Sequence, residues 1–366
     1  MFRRRSFGRR FAWLALTMAA ALAVPASVSA GTASDVKVVA SGLDNPRGID
    51  LRPGGAIWVA EAGRGGSGPC VTGPEGEACF GLSGALTRVT RPAWERIVDG
   101  LPSHAAPDGS GALGPHDVAK DGATVFATIG LGGDEATRDA FGADAAMFGT
   151  LVRWTRSRGV RVVADLAAYE EANDPAGEGV DSNPYGLLRL GRASIVTDAG
   201  GNSLLRVSDR GHISTIATFP SRMVTVDGEQ FTMDAVPTSV VKGPDGAFYV
   251  GQLTGFPFPR HGARVYRVEP GGSPTIYARG FTNIIDIAFD DDGNLYVLEI
   301  SHRGLADPAP PVGALIKVGP GGDKEILVKD GLFFPTSFEL ARGASRVFLT
   351  NCGVCPGGGE VWRVDL

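Results

Sequence analysis

No Gly-x-Ser-x-Gly elbow, no His-Glu-x-x-His pair and no phosphate-binding loop occurs among the 366 residues. Serine hydrolysis, zinc proteolysis and nucleotide use therefore have no motif to rest on. Cysteine is scarce, at four, and histidine nearly so, at five. The two Cys-x-x-Cys knuckles of a structural zinc site are missing. Cys352-Gly-Val-Cys355 stands alone, outside the strand-helix context of a redox dithiol. After residue 30 no long apolar run remains, which leaves the mature chain without a transmembrane anchor. Nor is there a long helical period or a linker-like stretch, so a single all-β domain is expected.

What is present begins with the leader. Arg3-Arg4-Arg5 and Arg9-Arg10 precede an apolar run from Phe11 to Val24, and small residues follow up to Val28-Ser29-Ala30. This is the pattern of a secretory signal peptide over residues 1–30, with 31–366 as the secreted, extracytoplasmic domain. Arg4-Arg5-Ser6-Phe7 also resembles the core of a twin-arginine signal, so both export routes stay open. Removing 1–30 takes away five arginines and no acids, leaving 35 − 5 = 30 basic side chains against 40 acidic, a net of −10. That balance speaks against nucleic acid as a partner. Export agrees with the cysteines, for which two local disulfides are expected, Cys70 with Cys79 and Cys352 with Cys355.

Short β-type runs separated by turn signals fill the rest. Between 236 and 282 four of them follow one another: 239–241, then the Asp245-Gly246 turn, 247–250, 263–268 and 275–278. Four strands in about 45 residues is the spacing of a propeller blade. Counterparts of Pro237 stand at Pro46, Pro115, Pro184, Ile284 and Pro335, making six repeats. Their innermost strands are expected over 48–51, 117–119, 186–190, 239–241, 286–289 and 337–340. The last repeat stops after its third strand, while 36–40 is left over before the first. The expected fold is a six-bladed β-propeller closed by an N-terminal strand completing the last blade, 36–40 running antiparallel to 361–364.

Long insertions, at 62–84, 131–148, 167–181, 253–262, 301–313 and 352–359, gather on one face of such a ring. Binding residues favour loops held on a rigid scaffold. On that face, in equivalent register after the second strands, come Glu61, Asp198, Gln252, Glu299 and Asn351. At the starts of the first strands come Arg47, His116, Asn183, Tyr185 and Asp286, among others. The candidate ligand-binding set is Glu61, His116, Asn183, Asp198, Gln252, Glu299 and Asn351. His116 is the candidate acid/base, the other four histidines lying in loops where exposure is expected. Glu61, Asn183 and Glu299 offer hard oxygens suited to Ca²⁺. Strand-end Asp and Asn also serve as plain turn residues bonded to their own backbone. Phe256-Pro257-Phe258-Pro259 either lines a pocket there or packs on the adjacent repeat.

Asp181-Ser-Asn-Pro-Tyr-Gly186, Asp198-Ala-Gly-Gly-Asn202 and Gly251-Gln-Leu-Thr-Gly-Phe-Pro-Phe-Pro259 resemble the ScyD/ScyE family. So do Gly130-Leu-Gly-Gly133 with Phe148-Gly-Thr-Leu151, and Gly280-Phe-Thr-Asn-Ile-Ile-Asp286, so the resemblance covers essentially the whole mature chain. It implies a secreted six-bladed propeller with NHL-like repeats and no established reaction. Two functions are then in view. One is an exported propeller that binds a small molecule or an envelope partner on its loop-rich face. The alternative is a calcium-assisted, lactonase-like hydrolase with a central-channel site. Lactonase propellers carry a Glu-Gly-Pro-type approach to the first inner strand. This chain has Asn45-Pro46-Arg47-Gly48 instead, so binding is the leading expectation.

Overall fold

The computed structural model describes residues 36–73, 76–91, 93–269 and 271–366; the leader expected at 1–30 lies outside them. Among these residues strands dominate, and they assemble into seven antiparallel sheets. Six of these repeat one plan, in which consecutive strands pair from an inner strand outwards. The inner strands are Pro46–Leu51, Pro115–Asp121, Pro184–Leu190, Pro237–Lys242, Ile284–Phe289 and Ser337–Leu340. Each contains the run expected from the sequence. We number the six sheets in this order.

The fourth sheet shows why these residues make strands. Along Ala263–Val268 the apolar Ala263, Val265, Tyr266 and Val268 are buried while Arg264 and Arg267 stay partly exposed, and a register shift between Val265 and Tyr266 interrupts the strand's period of two. Between Pro237–Lys242 and Phe248–Gln252 the chain reverses at Asp245-Gly246. Gly246 takes φ +84°, and the Asp245 carboxylate accepts the Ala247 N–H at 3.1 Å.

The sixth sheet draws on both chain ends. Val36–Leu43 pairs antiparallel with Gly359–Asp365, Val36 opposite Val364 and Ala40 opposite Val361. The first sheet is the elaborate one. Its third strand, Gly76–Thr90, carries both Ala93–Ala105 and the short Cys70–Gly73, with Cys70 directly opposite Cys79 in a disulfide. Cys352 and Cys355 form the second disulfide. The seventh sheet is a two-stranded hairpin, Arg222–Val226 with Glu229–Met233, turning at Asp227-Gly228. Asp-Gly between two β-rich runs is a strong hairpin signal, and it inserts between the third and fourth repeats.

Apolar side chains are buried between neighbouring sheets. Trp58 and Leu86 of the first sheet share a cluster with Val118, Ala127 and Val152 of the second. Leu43, Ile49 and Val59 share another with Val361 and Phe348, joining the sixth sheet to the first. Inner strands of adjacent sheets run side by side without a ladder, so their inward backbone groups need other partners. Side chains supply them. Asp50 accepts from Lys120 N at 2.6 Å, Asp117 from Leu187 N at 2.7 Å and Asp286 from Phe338 N at 3.0 Å. Thr238 donates to Ile284 O at 3.0 Å and Thr336 to Pro46 O at 2.7 Å. Between the third and fourth sheets the backbones approach so closely that a Cβ on Gly186 would lie 2.7 Å from Thr238 O. No helix among the described residues is long and apolar enough to cross a membrane.

Candidate functional site

The residues that follow the second strands share one job. Glu61 accepts Asp44 N at 2.7 Å, Asp198 accepts Asn183 N at 2.6 Å, Glu299 accepts Thr282 N at 2.7 Å and Asn351 accepts Phe333 N at 2.8 Å. Each donor sits shortly before the inner strand of the same sheet. The chain turns sharply on three of these approaches, where Asn45, Asn283 and Phe334 take positive φ. Backbone N–H groups in such a turn have no ladder, and a buried acceptor satisfies them. Gln252 occupies the same register, but its buried Oε1 has no partner.

Glu61 is fully buried and more heavily engaged still. Arg96 grips both its oxygens, at 3.0 and 2.7 Å, and Thr87 donates to Oε1. Arg96 also reaches Asp44 at 3.0 Å. Glu299, whose pKa is raised by burial, gives its second oxygen to His302. Asn183 Oδ1 accepts Leu131 N at 3.2 Å. All three expected calcium ligands thus already accept from protein donors. The one group of three Asp, Glu, His or Cys ligand atoms within 4.8 Å among the described residues is Cys70, Glu77 and Cys79, on the disulfide hairpin.

His116 stands apart. It lies one residue into its inner strand, in the register of Arg47 and Tyr185 on the strands to either side, each just after a proline. The ring is fully buried, with its centroid 4.5 Å from that of Tyr185. Nδ1 lies 3.1 Å from Pro184 O. A carbonyl can only accept, so Nδ1 carries the proton and Nε2 keeps its lone pair. Nε2 is buried and has no partner. Burial, and then the Arg47 charge, hold the His116 pKa down at about 3, so the ring is neutral at ordinary pH. Arg47 is buried, donates to Ala112 O at 2.7 Å, and leaves its Nε unpaired. Burial raises the Tyr185 phenol, which stays protonated. One fixed cation, one neutral base and one neutral hydroxyl therefore stand at the same register of three neighbouring inner strands.

Glycine makes room for this group. A Cβ on Gly130 would lie 2.1 Å from His116 Cε1 and 2.6 Å from Asn183 Oδ1, so the Gly130-Leu-Gly-Gly133 motif is a seat for the imidazole. Deeper along the inner strands stand four acids, Asp50, Asp117, Asp286 and Glu339. Burial and then Asp286 push Asp117 well above the carboxylate range; burial raises Asp286 to about 6; burial and then Asp50 raise Glu339. All four residues remain partly accessible. Two surface hollows lie elsewhere, one against Arg153, Arg158 and Arg161 and one against Arg138 and Asp165.

Other expectations meet the structure unevenly. His104, expected in an exposed loop, is buried, stacked on Phe141 at 4.9 Å and bonded to Leu131 O at 2.9 Å. His104 pairs with Phe80 of the 62–84 insertion, and Leu131, Phe141 and Phe148 of the 131–148 insertion close over its ring. Phe258 is buried, and Phe256 packs edge-on against Phe231 of the two-stranded hairpin at 5.3 Å. Arg47 and Tyr185, placed by the sequence at strand starts, lie outside the expected ligand-binding set; their shared post-proline position with His116 is the signal that marks them.

No protein-family model matches this chain, nor does any curated protein. Solved structures do resemble it. An assigned oxidoreductase (glucose dehydrogenase) of Thermus thermophilus is 15% identical, over 91% of this chain and 100% of its own, with a TM-score of 0.54. A structural genomics protein of unknown function from Bacteroides thetaiotaomicron is 9% identical, over 91% and 72%, also at 0.54. A streptogramin B lyase is 10% identical, over 90% and 97%, at 0.50. At such identities the likeness speaks for the fold alone. The chain is an all-β protein with a propeller-like fold.

Proposed function

We propose that the six repeated sheets are the blades of a closed β-propeller, with Val36–Leu43 as the outer strand of the last blade, and that this propeller binds a small anionic molecule at the level of Arg47, His116 and Tyr185. Closure is supported by the bonds from Thr336 to Pro46 O at 2.7 Å and from Thr350 to Arg47 O at 2.9 Å, which tie the sixth inner strand and its neighbour back to the first. The motifs that resemble the ScyD/ScyE family, and the leader, fit an exported protein of that kind.

The observation that carries the binding reading is the unpartnered Nε2 of a fully buried, neutral histidine beside a buried arginine. A buried acceptor without a partner costs stability unless something bonds to it. A ligand carboxylate, or another anionic oxygen group, would meet the Arg47 guanidinium. A ligand hydroxyl or N–H would donate to His116 Nε2, and Tyr185 would donate from its phenol. The same neutral imidazole is chemically able to take a proton from a bound substrate, which keeps an acid–base enzyme as the second reading. The calcium-assisted hydrolase is weaker, since Glu61, Asn183 and Glu299 spend their oxygens on protein donors.

Calorimetric titration with small hydroxy-carboxylates and their neutral amides tests the binding reading. Carboxylates should bind and amides should not, and Arg47→Gln should weaken the carboxylates tenfold or more. Equal binding of acid and amide, or no binding to either class, counts against it.

A further inference from the structure

A short helix, Leu166–Asn173, fills the connection between the second and third sheets. Asp165 caps it by accepting Ala168 N at 3.0 Å, and Leu166, Ala167 and Glu170 form its buried side. Two of these three suit a buried face. Glu170 does not: it is fully buried, and neither carboxylate oxygen has a hydrogen-bond partner. A carboxylate in that state is costly unless it is protonated or neutralised by a cation. Among the described residues, the charges that act on it are all acidic. Burial, and then Asp198, Asp174 and Asp181, push its pKa up to about 8.

The surroundings are built around a glycine pair. A Cβ on Gly201 would lie 2.6 Å from Glu170 Oε2, and a Cβ on Gly200 would lie 2.7 Å from Asp181 Oδ1. Two carboxylates therefore press on consecutive residues of one turn. Asp198 shapes that turn, spending its oxygens on Ser182 Oγ at 2.7 Å, Asn183 N at 2.6 Å and Gly201 N at 3.0 Å. Asp174 likewise folds its own loop by accepting Glu178 N and Gly179 N. The Asp181-Ser-Asn-Pro and Asp198-Ala-Gly-Gly motifs thus meet at Glu170.

We propose that a calcium ion binds here, held by Glu170 and Asp181 over the Gly200–Gly201 turn. The donors are hard oxygens, as calcium requires, with no nitrogen or sulfur to favour zinc. No three carboxylates converge within 4.8 Å at this place among the described residues, so backbone carbonyls and water complete an irregular shell, which calcium's flexible coordination tolerates and magnesium's strict octahedral demand does not. The ion anchors the segment that runs from Asp181 through Pro184, whose carbonyl orients His116, to Tyr185. The proposal stands whether or not a ligand binds at that histidine.

The test is thermal melting and calorimetry of the exported full-length protein after chelator treatment. Calcium should raise the melting temperature saturably, with one ion per chain, and magnesium should do so far more weakly. Glu170→Gln should melt at or above the stripped wild type, because a neutral amide removes the cost of protonating a buried carboxyl, and should no longer respond to calcium. Asp181→Asn should bind at least tenfold more weakly, and it carries the test if the Glu170 variant fails to fold. A wild type indifferent to millimolar calcium overturns the site. So does a calcium response that survives both substitutions.

Discussion

Nδ1 of His116 points at the carbonyl oxygen of Pro184, 3.1 Å away on the neighbouring inner strand, and so decides which nitrogen of the ring is left basic. A change of partner there would change the chemistry of the site without altering its composition.

The neutral state of His116 makes stability depend on pH. Its pKa falls from the ordinary value of 6.5 to about 3 on folding, so below about 6.5 the unfolded chain binds a proton that the folded chain refuses. Stability from this group is complete above that pH and is lost as pH falls towards 3. The cost is roughly 3 kcal/mol at pH 4. Asp286, raised to about 6, acts in the opposite sense, so the comparison must be between variants. His116→Asn should show a flatter loss of stability than wild type between pH 6.5 and 4 in urea titrations. Parallel curves would mean that the imidazole titrates normally.

Gly130→Ala should displace His116, since the added methyl would overlap its Cε1. We expect carboxylate binding to fall at least tenfold, with far-ultraviolet dichroism unchanged. Unaltered affinity would place the ligand elsewhere.

Glu61→Gln should destabilise the fold rather than empty a metal site. The variant leaves Arg96 facing a neutral amide in place of a bidentate carboxylate. Arg96 keeps some solvent exposure, so the loss should be on the order of 2 to 3 kcal/mol, under the full buried-pair cost. Urea midpoints measure it, and a wild-type midpoint would show the pair to be dispensable.

Deleting residues 31–41 removes most of the strand that pairs with Gly359–Asp365. The sixth sheet would lose its outer edge, and the tie between chain ends would go with it. The truncated protein should melt many degrees lower. A midpoint within a degree or two of the intact protein would mean that the strand is ornamental.

Much of the fold was readable because a strand of a half-covered sheet writes its period into the residues. The β-rich run Ala263–Val268, the Asp245-Gly246 turn and the recurring prolines before inner strands are local features, and local sterics govern them. The cysteine pairs were readable for the same reason, each closing a short loop. The Asp227-Gly228 hairpin was equally local, yet it falls between two repeats and so escapes a reading tuned to their period.

The candidate site divides along another line. By itself the sequence determined which residues share a register: Glu61, Asp198, Glu299 and Asn351 after the second strands, and Arg47, His116 and Tyr185 at the starts of the first. It could not say which of those side chains have partners, because the partners come from other sheets or distant loops. Arg96 reaches Glu61 across 35 positions, Pro184 holds His116 across 68, and Glu170 meets Gly201 only through the packing of its helix. Whether a buried polar atom is satisfied is a property of the assembled interior. Tertiary structure alone decided that Glu61 is an anchor while His116 and Glu170 are left with atoms to bond.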